Sequence, residues 1–437
     1  MKFKAVKGTR DFYPPDMEVR NAIFDAWKEV SLRNGFVEYD GPTLEHLDLY
    51  TAKSGDEIVQ QLFHLTDRGG RELALRPEMT PTLARMVNAH VATLPKPIKW
   101  FSIPRCYRAE RPQRGRLREF FQWNIDIVGI DDPLADAETI FVAVDLFRWF
   151  GLSVEQVVMR INSRKLVANM LLDLGVEEAR LPALYAVLDK RDKMPAEAFG
   201  EALAEILPDE SLRRSMNEHL ALPTLTDVRS ARDWGAATQA AIVEVQSVLD
   251  WLDRWGVGGY CTFDLGVVRG LAYYTGVVFE AYSKGGLKRS VCGGGRYDEL
   301  LRILGGPEIP AVGFASSDVV MQDLLEEFDL VPRHSGQRLD AYVIDADPTL
   351  FERLVAIVGA LREKGVRADF SYRRLPLGKQ LKAASNAGCA AAILLGQETR
   401  DRNVVTIKDL ATGRQREVAV DRLLADPKSS LPGGGPA

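Results

Sequence analysis

The sequence predicts an α+β protein in two folding units, the first interrupted by a helical insertion and the second a compact α/β unit. Three observations carry this. Short strand-like runs with Pro and Gly breaks alternate through residues 36–130, after an amphipathic helix. Residues 165–255 are rich in helix formers and hold no dense polar constellation, so they read as an insertion. Beyond a linker at 330–338, LVPRHSGQR, the pattern becomes βαβα-like over a span typical of an independent domain. The expected boundaries are 1–330 for the first unit, about 165–255 for its insertion and 335–425 for the second unit. The tail from 426 to 437 is expected to be disordered. There is no internal repeat.

The elements follow in order. Met17–Asn34 reads as a helix: Val19, Ile23, Trp27 and Val30 share one face, Asp16 is the expected N-cap, and Gly35 ends it. Residues 133–150 and 163–175 also read as helices. Strand character returns at 258–282, and GGLKRSVCGGGRYDELL then reads as a glycine turn into a helix. In the second unit AYVID is a strand, Thr349–Lys364 a helix capped by Gly365, and VRADFSY a strand. A helix from Lys379 and the strand AAILL follow.

Bulk composition narrows the function classes. The chain has 437 residues, 46% hydrophobic and 27% charged, which is ordinary for a globular protein. No stretch of about twenty apolar residues occurs, and the N-terminus lacks an apolar signal region, so no membrane partner is expected. Cys106, Cys261, Cys292 and Cys389 are far apart and form no C-x-x-C pair, which disfavours structural zinc and disulfides and fits a reducing cytoplasm. His46, His64, His90, His219 and His334 are scattered, so no metal site built from histidine or cysteine is expected. The net charge is −5; residues 335–437 hold 16 Lys+Arg and 12 Asp+Glu, which makes that part +4 and the rest −9. The asymmetry is compatible with a C-terminal unit that touches an anion.

The densest chemistry lies in KWFSIPRCYRAERPQRGRLREFFQWNIDIVGI, residues 99–130. Its loop carries Arg105, Arg108, Arg111, Arg114, Arg116 and Arg118. Such a cluster repels itself unless anions sit among it, and guanidinium forks match phosphate oxygens two at a time. In the strand that follows, Phe121, Trp123, Ile125 and Ile127 form an apolar face. Phe120, Gln122, Asn124 and Asp126 form a polar floor on the other. This suggests a nucleotide site beside a small polar-substrate site; an amphipathic edge strand with a solvated loop would show the same pattern. Three further segments bear on the choice. Glu78 and Thr80 lie between a strand and a helix, where they could hold an ammonium group or simply meet the helix dipole. Arg269 sits in an apolar strand pattern and, if buried, needs a structural carboxylate or a reacting phosphate. The glycines of CGGGRYDELL would let backbone approach a ligand, although no P-loop is present.

Together these residues resemble the histidyl-tRNA synthetases, a family of class II aminoacyl-tRNA synthetases, from Lys7 to about residue 420. KGTRDFYP at 7–14 is similar to the family's N-terminal signature. FVEYDGPTLEHLDLY with its preceding helix resembles class II motif 1, which builds a dimer interface around Pro42. YRAERPQRGRLREFFQ at 107–122 resembles motif 2, VRGLAYYTGVVFE at 268–280 the histidine-specific signature, and residues 339–420 the anticodon-binding domain. The resemblance implies a class II catalytic domain built on an antiparallel sheet, with a C-terminal α/β anticodon-binding domain. It implies a cytoplasmic homodimer that uses L-histidine, ATP with Mg²⁺ and tRNA(His). Glu78, Thr80 and Gln122 would hold the histidine α-amino group, and Asp126, Tyr273, Tyr274 and Tyr297 would surround its imidazole. Arg108 and Arg269 would act on the α-phosphate and reacting carboxylate. Glu110 and Arg116 would position the triphosphate, and Phe120 would stack on adenine.

The chain departs from the family at two places. Ala272 stands where an acidic residue is common. In PAVGFASSDVVMQDLL, the segment corresponding to motif 3, Val320 stands where an arginine over adenine is usual, with Asp318, Ser316 and Ser317 nearby. Some members of the family resemble this chain in lacking that arginine. The alternative reading is a catalytically silent paralogue that regulates ATP phosphoribosyltransferase; such proteins typically lack the anticodon domain and the intact histidine signature.

Overall fold

A computed structural model describes residues 3–51, 61–189, 191, 194–268, 273–332, 339–373 and 375–432. The chain divides into two compact units, Met1–Pro332 and Arg333–Ala437. Among the described residues no helix is long and apolar enough to cross a membrane.

The first unit is organised by a nine-stranded sheet. Its central strand, Glu119–Val128, is flanked by antiparallel Ile98–Ser102 on one side and antiparallel Ala311–Ser317 on the other. Ser290–Arg296, Val277–Ser283 and Val157–Ser163 continue the antiparallel order. Parallel Val37–Glu38 and Cys261–Phe263 close the two edges, and Arg105–Tyr107 pairs with the start of the central strand.

Period-two alternation decides what each face of the central strand does. Trp123, Ile125 and Ile127 are buried in the main core against helices Pro14–Arg33 and Pro133–Trp149. Trp27 stacks on Trp123 with ring centroids 6.0 Å apart, and Phe314 meets Trp123 edge-on at 5.0 Å. The Trp123 indole N–H donates to Ser31 Oγ at 2.9 Å, so the one polar atom of that ring is satisfied inside the core. Asp136 on the second helix takes the buried Arg296 guanidinium, which anchors the end of strand Ser290–Arg296.

The first helix starts earlier than its apolar pattern indicates. Pro14 and Pro15 occupy its first turn, where a missing N–H costs nothing. Asp16 therefore lies inside the helix and accepts from the Tyr13 N–H at 3.1 Å rather than serving as the N-cap. Gly35, at φ +79, ends the helix as expected.

The insertion is helical, with Leu181–Leu188, Ala196–Ile206, Glu210–Leu220 and Leu225–Ala231 around a core of their own. Its last helix, Ala236–Arg254, shares both cores, through Ile242 and Val245 on one side and Val248 and Leu252 on the other. The glycine segment is a correction. Ser290–Arg296 is a strand, not a turn. A Cβ on Gly294 would lie 2.1 Å from the Gly313 carbonyl oxygen, and one on Gly295 would lie 2.6 Å from that of Val277. These glycines permit close strand packing.

The second unit carries a five-stranded sheet in the order Ala368–Phe370, Ala341–Asp345, Ala391–Leu395, Val404–Asp409, Gln415–Ala419. The first three are parallel and the last two antiparallel. The tail expected to be disordered from 426 instead holds a helical turn, Pro427–Ser430, with Ser430 and Leu431 buried. Residues 433–437 lie outside the described residues.

Candidate active site

The polar face of the central strand floors two joined cavities. The larger, of about 240 Å³, is bordered by Arg108, Glu110, Arg116, Phe120 and Gln122, together with Arg289 and Val320. The smaller, of about 60 Å³, is bordered by Glu78, Thr80, Gln122, Asp126, Tyr273, Tyr274 and Tyr297. Arg108, Gln122, Gly293 and Ala315 line both, so the two cavities meet at those residues.

Local folding explains how each group arrives. Glu78 lies between strand Glu72–Leu75 and helix Thr80–His90, and Thr80 opens that helix. Glu78 is buried and accepts from the Tyr273 hydroxyl at 3.2 Å. Gln122, Asn124 and Asp126 are buried side by side along the strand. The Asp126 carboxylate accepts from the Tyr297 hydroxyl. Burial pushes the Asp126 carboxyl up to about 7; the Tyr297 hydrogen bond opposes the rise, and the Glu78 charge adds to it. Gly313 is required beside it, because a Cβ there would stand 2.1 Å from Asp126 Oδ1.

The arginine loop sorts into separate roles. Arg108 Nε donates to the Pro77 carbonyl at 3.0 Å, and its guanidinium lies 5.3 Å from the Phe120 ring centroid. Arg116 pairs with Glu110, whose side chain is 7% exposed. Arg118 Nε holds the Glu110 carbonyl at 3.0 Å, and Arg105 covers the outer ring of Phe121. Arg111 and Arg114 are exposed. The dense basic run therefore places only Arg108 and Arg116 on the large cavity; the others brace the loop or face solvent.

The structure accounts for three unusual residues of the 316–320 segment. Ser316 Oγ donates to the Val291 carbonyl, and Ser317 Oγ caps helix Asp318–Glu327 by accepting from the Val320 N–H. Asp318 is buried; it accepts from Arg10 at 2.5 Å and from the Phe121 N–H at 2.8 Å. The segment thus ties the N-terminal KGTRDFYP stretch to the central strand. Arg269 and Ala272 lie outside the described residues.

Arg289 lines the large cavity and was not singled out by sequence. It precedes the glycine strand in a stretch that reads as a turn, and nothing in its spacing marks it. Gly313 was also missed, since its role depends on strand pairing with Asp126.

The family model described as "Histidyl-tRNA synthetase" matches residues 8–318, and "Anticodon binding domain" matches residues 340–426. A histidine–tRNA ligase from Opitutus terrae is 41% identical over 426 residues, 97% of each chain. The crystal structure of histidyl-tRNA synthetase from a Nostoc species superposes with a TM-score of 0.80 at 22% identity, covering 99% of this chain and 100% of that one. A Bacillus halodurans structure described as an ATP phosphoribosyltransferase regulatory subunit/histidyl-tRNA synthetase gives a TM-score of 0.74 at 25% identity, covering 90% of this chain and 98% of that one.

Proposed function

The chain belongs to the histidyl-tRNA synthetase family, and on that premise we infer that it is a histidine–tRNA ligase that forms histidyl-adenylate from L-histidine and ATP and then charges tRNA(His). The observation that supports this best is the pair of joined cavities sharing Arg108 and Gln122. A cleft of about 240 Å³ with arginines opens onto a small pocket with buried carboxylates and tyrosines, so the two substrates would meet at Arg108.

In the small pocket, Glu78, Thr80 and Gln122 would take the α-amino group, and Asp126, Tyr273, Tyr274 and Tyr297 would enclose the imidazole. One histidine carboxylate oxygen would attack the α-phosphorus of ATP; the bond from that phosphorus to the bridging oxygen breaks, and pyrophosphate leaves. A ribose hydroxyl at the tRNA end would then attack the carbonyl carbon and release AMP. Arg108, with its Nε fixed on Pro77, would present its remaining donors to charge developing at phosphorus. Arg116, steered by Glu110, would hold the triphosphate, and Phe120 would border adenine. Mg²⁺ would arrive with ATP and supply positive charge to the phosphates, and Glu110, the cleft-lining carboxylate, would help hold it while still paired with Arg116. Selecting histidine by hydrogen bonds to its ring leaves Asp126 short of a partner beyond Tyr297 with any amino acid lacking them.

The 340–426 match and the near-complete coverage by a ligase relative favour this reading over the regulatory paralogue. Wild-type protein should catalyse histidine-dependent ATP–pyrophosphate exchange and charge tRNA(His). A folded wild type with no exchange would favour the paralogue.

We further infer a cytoplasmic homodimer, with the segment around Pro42 at a two-fold interface. Sedimentation at micromolar concentration should give twice the chain mass of 48.6 kDa; a single chain mass would refute the interface.

A further inference from the structure

We propose that Arg289 binds the triphosphate of ATP, in the same cleft where Val320 stands in place of an arginine over adenine. This rests on the ligase reading of the same cleft.

Three observations carry it. Arg289 lines the large cavity together with Arg108 and Arg116, and it comes from a different stretch of chain. Its side chain and that of Val320 both approach Gly115: a Cβ placed there would lie 3.0 Å from Arg289 Cδ and 3.7 Å from Val320 Cγ2. Among the described residues Arg289 Nη1 is buried and has no hydrogen-bond partner.

The electrostatics point the same way. Arg289 loses basicity through burial first and then through the charges of Arg116 and Arg108; Glu110 and Asp323 act in the opposite sense. Glu110 is already paired with Arg116. Asp323 Oδ2 is buried without a hydrogen-bond partner among the described residues, so it does not hold Arg289; it would lie 3.5 Å from the same Cβ on Gly115. A cleft with three guanidiniums and one committed carboxylate repels itself when empty of anion. A polyphosphate removes that repulsion and satisfies the buried donor. Helix Asp318–Glu327 would carry a residue 320 arginine over this cavity; here an arginine from the segment before Ser290–Arg296 lines the same cavity.

The test uses full-length wild type, Arg289→Met and Arg289→Lys, with Arg302→Ala as a control on a half-exposed arginine outside both cavities. Arg289→Met keeps most of the apolar stem and removes the charge. In histidine-dependent pyrophosphate exchange it should lower kcat/KM for ATP at least tenfold, with the KM for histidine within twofold of wild type. Arg289→Lys should recover part of the loss. Inorganic triphosphate should compete at least fivefold less well against ATP in Arg289→Met, and adenosine should compete equally in both proteins. An ATP kcat/KM within twofold of wild type would overturn the proposal. Equal losses for ATP and histidine would also overturn it, because they would mark a structural role. Calorimetric titration of Mg·ATP into wild type and Arg289→Met separates this proposal from its premise. Wild type that binds ATP more tightly than the variant yet shows no exchange would sink the ligase reading and leave the Arg289 contact standing. Equal ATP binding by both proteins would sink the Arg289 contact, whatever the exchange assay gives.

Discussion

Asp126→Asn is expected to stabilise the free protein at pH 8 while lowering kcat/KM for histidine by about two orders of magnitude. The stability arm follows from linkage. An unfolded aspartate titrates near 4, whereas burial holds Asp126 up to about 7 in the folded chain. The folded state therefore binds the proton more tightly. The stability this contributes is fully present below pH ~4 and is lost as pH rises from there through 7. Above 7 the native protein carries an ionised carboxylate in a site 4% exposed. Asparagine removes that charge and keeps a carbonyl oxygen for the Tyr297 hydroxyl. A gain of roughly 1–3 kcal/mol at pH 8 is expected, shrinking toward zero near pH 4. Thermal melting of both proteins at pH 4, 6 and 8 reads this directly. The activity arm follows from the proposed role: an amide has one acceptor oxygen where a carboxylate has two, and its NH₂ meets an imidazole N–H as donor against donor. A variant less stable than wild type at pH 8, or one with unchanged histidine kinetics, would contradict the corresponding arm. Opposite signs in the two arms would identify Asp126 as a residue kept for chemistry at a cost in stability.

How much of this site could be read from the chain depends on range. The alternation Phe120, Gln122, Asn124, Asp126 against Phe121, Trp123, Ile125, Ile127 is local, and strand geometry alone puts the first set on one face. Glu78 and Thr80 were legible for the same reason, since a strand ends before Glu78 and a helix starts at Thr80. The C-terminal hairpin, Val404–Asp409 with Gln415–Ala419, was not read, because exposed polar residues blur its alternation. The glycine run misled because glycine serves turns and close strand packing alike; only the 2.1 Å approach to Gly313 decides between them. Arg289 escaped because its meaning lies in Val320 and Gly115, both far from it in sequence. Local periodicity shows which residues share a face; it does not show which loop from elsewhere supplies the rest of the cavity.

Arg108→Ala should lower kcat for adenylate formation by about 10²–10³, with smaller changes in the KM of either substrate. Arg108 follows strand Arg105–Tyr107, and its backbone N–H donates to the Arg118 carbonyl at 2.9 Å, which fixes where the side chain begins. Its Nε is held by Pro77, so the guanidinium plane is set before substrate arrives. The side chain borders both cavities, the position where a carboxylate from one would meet a phosphorus in the other. Charge builds on the phosphoryl oxygens during attack, so a donor fixed there stabilises the transition state more than either ground state. Removing it loses about 2.7–4 kcal/mol if it behaves as other preorganised donors do. Arg108→Lys is expected to recover little, because an ammonium cannot hold Pro77 and reach phosphate with the same fork. Single-turnover adenylate formation at saturating histidine and ATP isolates the chemical step from product release. A rate within threefold of wild type, or a loss confined to KM, would remove Arg108 from the transition state and leave it as a wall between the two cavities.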